Sequence, residues 1–142
     1  MVYRFDSPLG PVCYGWDGQS CSDIWLCDID GNQGQHADPV SRWLAQYFRK
    51  HVTALPPLAM PKTTFQAKMR QGLLDIPFGE VRTYGELAKT LATASRAMGQ
   101  ALGANPLPIL IPCHRIIAAD GLGGFACGLE WKQRLLTFEC RL

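Results

Sequence analysis

Long apolar runs are missing from this chain of 142 residues, and none nears the roughly 20 that a membrane-spanning helix needs. No basic-then-apolar leader opens it, so export is not expected. Charge is scarce, at 18% of residues against 47% apolar, which excludes a disordered chain and fits a globular one. There is no internal repeat, no low-complexity tract and no Cys-x-x-Cys pair. The length leaves room for one domain, or for a core domain with a small lobe. Six cysteines are present, at 13, 21, 27, 113, 127 and 140. Without an export signal they read as cytosolic thiols rather than a disulfide framework, and the question becomes which one reacts.

The net charge of +2 is unevenly spread. Residues 1–60 carry four basic against six acidic side chains, net −2, and residues 61–142 carry ten against six, net +4. The second half is the candidate for a polyanionic partner. A charge of this size is also what an ordinary solvated surface carries.

The first 60 residues alternate β-prone segments with turn signals. Val2–Phe5, Val12–Trp16 and Ile24–Ile29 read as strands, separated by Ser7-Pro8-Leu9-Gly10 and Asp17-Gly18 and closed by Asp30-Gly31-Asn32. Asp38-Pro39 reads as an N-cap with proline at the first helical position. Val40, Trp43, Leu44, Tyr47 and Phe48 then repeat with the period of an amphipathic helix. Three prolines within 55–61 exclude helix there and mark a connector.

Residues 61–142 read as mostly helical. Phe65, Met69 and Leu73 recur every four residues, and Ile76-Pro77-Phe78-Gly79 ends that helix. Thr83-Tyr84-Gly85-Glu86 has the form of a capping box, and Ala92-Thr93-Ala94 separates the helix it opens from Ser95–Gly103. That pair has a helix-turn-helix outline. Asn105-Pro106-Leu107-Pro108 breaks the helix, and the apolar run Ile109–Ile111 leads into Pro112-Cys113-His114-Arg115. A glycine-rich loop at 120–124 precedes a final helix over Leu129–Phe138, with Leu129, Leu135 and Leu136 inward. The expected class is α+β: a sheet-and-helix lobe at 1–60 and a helical lobe with the helix-turn-helix at 61–142.

A thiol reacts as its thiolate, and an adjacent imidazole can draw off its proton directly or through a water. Cys113-His114 is therefore the candidate reactive pair, although a Cys-His dipeptide taken alone is more often coincidence. Cys13, Cys21 and Cys27 with His36 are a conceivable zinc set but lack its usual spacing. Together with Cys127 and Cys140 they are expected to be buried or half-buried inert thiols.

Residues 65–139 resemble the DNA-repair alkyltransferases that act on O-6-alkylguanine. The resemblance rests on Ile76–Val81, Thr83–Ala88, Ser95–Gly99, the block from Asn105 to Ile117 containing Pro112-Cys113-His114-Arg115, and Gly128–Lys132. It implies that Cys113 is nucleophile and alkyl acceptor, that His114 is its base through a water, and that Glu139 orients the imidazole. It further implies that Asn105 braces the active-site turn and that Tyr84 hydrogen-bonds the departing purine. Arg96 would fill the space of an extruded nucleotide. Ser95, Ala97, Gly99 and Gly103 would allow close approach to the minor groove, with Thr83 and Arg115 among the DNA contacts. Leu102, Pro108, Phe125, Ala126 and Cys127 would form the substrate pocket. The implied reaction is a single, irreversible transfer of a methyl or small alkyl group from O-6 of guanine, or O-4 of thymine, to Cys113. It needs no cofactor and no metal. The implied partner is double-stranded DNA, bound by a cytoplasmic monomer that can act cooperatively on it.

The chain departs from the family pattern in three places. The Gly-x-Pro turn between Tyr84 and Arg96 is missing, Phe125 stands where tyrosine is common, and Cys127 replaces a glycine. Three other readings stay open at this level: a sensor that binds alkylated DNA without transfer, a Cys-His hydrolase, and a zinc-stabilised domain.

Overall fold

The computed structural model describes residues 1–29, 37–125 and 127–140. The expected turn at Asp30-Gly31-Asn32, the candidate ligand His36 and the pocket residue Ala126 lie outside the described residues. The chain divides into two units, Met1–Met60 and Pro61–Leu142.

In the first unit β1 (Val2–Ser7), β2 (Gly10–Trp16) and β3 (Cys21–Trp25) form an antiparallel sheet in that order. The carboxylate of Asp17 accepts hydrogen bonds from the amides of Gln19 and Ser20, both at 2.7 Å, and closes the β2–β3 turn. That turn is short, so β3 starts at Cys21, paired with Trp16, and ends at Trp25 rather than running over 24–29 as expected. The central strand buries Val12, Cys13 and Tyr14 in succession, so the alternation typical of a one-sided sheet is absent there.

Asp38 caps α1 (Pro39–Tyr47) by accepting from the amide of Ser41 at 2.8 Å. The same carboxylate accepts from the Tyr14 hydroxyl at 2.6 Å, which ties the start of the helix to the sheet. Val40, Leu44 and Tyr47 are buried, and Phe48 stacks on Phe5 with ring centres 6.1 Å apart. The proline-rich connector is extended and bonds to Cys21 on both sides, through Pro57 and Ala59.

The second unit contains α2 (Thr64–Leu74), β4 (Arg82–Thr83), α3 (Tyr84–Thr90), α4 (Ser95–Gly103), β5 (Ile116–Ile117) and α5 (Leu129–Cys140). Gly72 lets α2 approach α3 closely: a Cβ there would lie 3.2 Å from side-chain carbons of Leu87 and Leu91. The Thr83–Glu86 capping box forms as expected, with its two bonds at 3.1 and 2.9 Å. The short parallel pair β4–β5 was not expected, because two residues per strand leave no periodic signal. The inward face of α5 holds Trp131, Lys132, Leu135 and Glu139. Leu129 precedes Leu135 by six residues and so lies about 120° round the helix from it. It is 52% exposed rather than inward. Leu136 is half-buried. Cys13 and Cys21 are buried, but Cys27 and Cys140 are exposed, against expectation, lying beyond β3 and at the outer end of α5.

The missing Gly-x-Pro turn has a structural substitute. Ala92 adopts the left-handed conformation, φ 53°, just past the end of α3. Its amide bonds to the Lys89 carbonyl at 3.1 Å, and that of Thr93 to the Ala88 carbonyl at 2.9 Å. This is the double closure that normally takes glycine at the Ala92 position. Ala92 is exposed, and its Cβ makes the left-handed conformation strained. Ala92→Gly should therefore raise stability by about 0.5–1 kcal/mol, measured as a higher urea midpoint at unchanged slope.

Candidate active site

The chain reaches Cys113 through a strained and fully buried loop. Leu107 to Ile111 are all buried, and Ile109 has φ 73°. A left-handed β-branched residue costs about 1–3 kcal/mol and persists only where its surroundings hold it. Asn105 does the holding. Its amide donates to the Ile111 carbonyl at 3.1 Å, and its carbonyl accepts from the Leu107 amide at 3.2 Å, bridging the strained residue. Pro112 then admits a single 3-10 turn, Cys113–Arg115, which runs straight into β5. Because β5 pairs with β4, and β4 leads into α3, Tyr84 is delivered to the same place as Cys113.

Glu139 sits behind that turn, 1% exposed. Its carboxylate accepts from His114 Nε2 at 2.7 Å and from the Arg115 guanidinium at 2.8 and 3.0 Å. Burial alone would raise its pKa, but the histidine and the arginine overcome this and hold it at about 2. An ionised carboxylate only accepts, so Nε2 of His114 carries the proton. Nδ1 is then the nitrogen with the free lone pair, and it has no hydrogen-bond partner among the described residues. Burial also pushes the imidazole below its ordinary 6.5, which keeps it neutral, with a nitrogen able to accept a proton, at pH 7. Burial pushes the Cys113 thiol the other way, up to about 11. A hydrogen bond from Asn105 opposes this and nearby Cys127 adds to it. At rest the group is a thiol, and it needs a base to react.

Cys113, 8% exposed, borders a cavity of about 160 Å³. Its other walls are Tyr84, Gly99, Leu102, Gly103, Gly124 and Phe125. The Tyr84 hydroxyl accepts from the Gly124 amide at 3.1 Å. Gly123, with φ 75°, lies flat against the phenol, where a Cβ would come within 2.7 Å of the ring. Lys132 is wholly buried beneath this loop. Its ammonium donates to the carbonyls of Ile116 and Gly124 at 2.6 and 2.9 Å and lies 5.9 Å from the centre of the Tyr84 ring.

Of the expected site residues, the fold brings Cys113, His114, Glu139, Asn105 and Tyr84 together, with Leu102 and Phe125 at the cavity. Pro108 is buried away from the cavity lining, and Cys127 is half-buried and not part of it. Gly99 and Gly103, expected only as DNA contacts, line the cavity as well. Ser95 and Arg96 are exposed on α4, Ala97 is half-buried, and Arg96 makes no ion pair among the described residues. The Thr83 hydroxyl serves as the cap of α3.

Arg115 is withdrawn from solvent. It was expected to touch DNA, but its guanidinium is buried on Glu139 and on the Ile76 carbonyl, 2.8 Å away. Leaving that carboxylate would strand two buried charges. Lys132 and Gly124 had no expected role. A signal for Lys132 exists, since it shares an i, i+3, i+7 face with Leu135 and Glu139.

The α3–α4 pair of helix-turn-helix outline, with a buried thiol next in sequence to a histidine held on a carboxylate, fits a DNA-binding protein with a reactive thiol. Residues 64–141 match the family model described as 6-O-methylguanine DNA methyltransferase, DNA binding domain. The chain is 37% identical over 153 residues to the methylated-DNA–protein-cysteine methyltransferase of Methanosarcina acetivorans, covering 98% of each. It is 33% identical over 144 residues to the protein of the same name from Saccharolobus solfataricus, covering 98% of this chain and 95% of that one. Among solved structures it resembles the Mycobacterium tuberculosis O6-methylguanine methyltransferase, with a TM-score of 0.81, 33% identity and coverage of 99% and 93%. It also resembles Mycobacterium tuberculosis OGT in complex with DNA, with a TM-score of 0.82, 31% identity and coverage of 97% and 92%. The chain belongs to the O-6-methylguanine-DNA methyltransferase family.

Removing the negative charge of Glu139 leaves Arg115 buried without its counter-ion. Glu139→Gln, close in shape, should destabilise the fold by about 3–5 kcal/mol, measured by urea denaturation at pH 7.5. Acid should act on the same groups. His114 and Glu139 are both held below their ordinary 6.5 and 4.5, so the unfolded chain binds their protons first. Their contribution to stability is complete above pH 6.5. It falls first as His114 takes a proton, then between 4.5 and about 2 as Glu139 does. Urea midpoints taken from pH 7.5 down to 4 should drop steadily, and a flat profile would contradict the assignment.

Proposed function

We propose that this protein repairs DNA by moving a methyl or small alkyl group from O-6 of guanine onto Cys113, once per molecule. The observation that carries the reading is the thiol at the cavity wall beside a neutral imidazole, whose Nε2 is committed to Glu139. The O-6 atom faces the inside of a base pair, so the base must leave the stack. The cavity of about 160 Å³ beside Cys113 marks where the reacting edge of that base would enter.

His114 Nδ1 takes the Cys113 proton through a water as the sulfur attacks the alkyl carbon. The carbon–oxygen bond breaks, and its electron pair leaves on the purine. Tyr84, positioned by Gly123 and Gly124, donates toward a ring nitrogen of the purine and eases that departure. The thioether is stable, and no group in the site would reverse it. The reaction needs no cofactor, because the damaged base is itself the donor. It does need Cys113 as a free thiol, which a reducing compartment such as the cytoplasm supplies.

The partner is double-stranded DNA. Arg96, exposed and free of ion pairs among the described residues, stands ready on α4 to occupy the space of the extruded nucleotide. Ser95, Gly99 and Gly103, spaced by four along α4 and all exposed, give it a slim face, which suits a minor groove read by shape rather than by base edges. The protein binds as a monomer, and neighbouring copies on one duplex can act cooperatively. The modest charge of residues 61–142 suits searching contact rather than tight specific binding.

Incubated with alkylated duplex DNA, the wild-type protein should gain one alkyl group by intact mass, located on Cys113, and Cys113→Ser should gain none. Repeated turnover, or binding with no mass gained, would defeat the reading. Arg96→Ala should slow transfer from duplex DNA far more than transfer from a free alkylated guanine base, and equal losses would remove its proposed role in extrusion.

A further inference from the structure

Cys127 is a departure from the family pattern that the transfer reaction leaves unused. It replaces a glycine, and it is not part of the cavity lining. The loop that carries it is nonetheless fastened to the chain around Cys113 at three points. Phe125 is a wall of the Cys113 cavity, and the Gly128 amide donates to the Phe125 carbonyl at 3.0 Å, closing a turn that contains Cys127. Lys132 joins the Gly124 carbonyl to that of Ile116, just past the Cys113–Arg115 turn, at 2.9 and 2.6 Å. Gly123 lies against Ala118, whose amide nitrogen is 3.1 Å from where a Cβ would stand. A thiolate at Cys127 is near enough for its charge to act on Cys113. Cys140, the third cysteine of this unit, is carried to the far end of α5, about 16 Å from its start.

The pair is unequal. Cys113 is 8% exposed, whereas Cys127 is half-buried, so a small oxidant in solution meets Cys127 first. Cys113 has the adjacent base that can take its proton when it attacks. A disulfide needs the two Cα atoms within about 7 Å of each other. The loop can supply the adjustment, because glycines flank Cys127 at 124 and 128, and a Cβ at either would meet nothing within 4 Å.

We propose that Cys127 is a redox partner of Cys113: a peroxide links the two as a disulfide that masks the nucleophile, and reduction returns it. The proposal rests on the reading of Cys113 as acceptor and concerns the regulation of that site. With hydrogen peroxide, the oxygen–oxygen bond breaks as the Cys127 sulfur takes one oxygen, giving a sulfenic acid and a water. The Cys113 sulfur then attacks the Cys127 sulfur, and its proton passes to His114 Nδ1 through a water. The sulfur–sulfur bond forms, the sulfur–oxygen bond breaks, and the hydroxide takes up that proton and leaves as water. In sum the two thiols lose their hydrogens and the peroxide is reduced to water. While the bridge stands, Cys113 accepts no alkyl group, and it is also kept from the sulfinic acid, which thiols do not reduce. A dithiol reductant opens the bridge by exchange.

The experiment uses the full chain with its two exposed cysteines replaced, Cys27→Ser and Cys140→Ser, which removes bridges between molecules. This parent and its Cys127→Ser and Cys127→Ala derivatives are exposed to hydrogen peroxide, which catalase then removes. Each is compared with its own untreated form by intact mass and by alkyl transfer from duplex DNA. The parent should lose the mass of two hydrogens, give a peptide pair linking Cys113 to Cys127 on non-reducing digestion, and lose transfer. Dithiothreitol should bring its transfer back to the untreated level. Neither derivative should lose two hydrogens, and in neither should dithiothreitol restore a lost activity. A parent without the Cys113–Cys127 link, or derivatives silenced as reversibly as the parent, would overturn the proposal. The proposed function would still stand, because the untreated parent takes one alkyl group on Cys113. An untreated parent that takes none would overturn the acceptor reading, and with it the regulatory meaning of the bridge.

Discussion

Glu139 is an ionised carboxylate with almost no water around it, and the site depends on the three hydrogen bonds that make this tolerable. An unpaired buried charge costs several kcal/mol, so the carboxylate holds whatever satisfies it. It satisfies itself with two consecutive residues of the Cys113–Arg115 turn, and thereby fastens the end of α5 to that turn. Arg115 passes the constraint on to the end of α2 through the Ile76 carbonyl. His114 receives from it a defined tautomer. Neighbouring side chains thus split the work: the arginine neutralises the charge, and the histidine is left neutral with a free basic nitrogen.

Burial by itself does not single out one thiol among six. Cys21 is pushed up to about 12 and Cys113 to about 11, so a depressed pKa distinguishes neither. What distinguishes Cys113 is an adjacent base and a cavity at its side. A buried thiol without a base is inert, and one beside a base reacts when a substrate arrives in the right geometry. The strained backbone at Ile109, held by Asn105, belongs to the same logic. It orients Cys113 by rigid packing, and the stability it costs is recovered in the apolar loop around it.

Much of this was legible along the chain. The hairpin at Asp17-Gly18, the Asp38-Pro39 helix start and the Thr83–Glu86 capping box are local devices, each complete within four residues or so. Cys113-His114 was visible as a pair, and its partner Glu139 followed from resemblance. Other features were not legible, because they depend on atoms far apart in sequence. The β4–β5 pair is too short to leave a pattern, yet it brings Tyr84 and Cys113 together. Arg115 looked like a surface cation until Glu139 claimed it. Leu129 looked inward until α5 settled on a face led by Trp131, Lys132 and Leu135. Lys132, a lysine wholly buried under a glycine loop, goes against the ordinary behaviour of its residue type.

By itself the sequence determined most of the elements, their caps and turns, the split of charge between the two halves, and Cys113-His114 as a candidate reactive pair. These are set by short-range geometry and by residue chemistry, and both survive in a linear string. Only the tertiary structure decided the tautomer of His114, the withdrawal of Arg115 from solvent, the anchoring of Tyr84 by Gly123 and Gly124, and the open α4 wall of the cavity. Each of these follows from which polar groups lost their water on folding and which neighbour then had to replace it. That is settled only when distant segments meet.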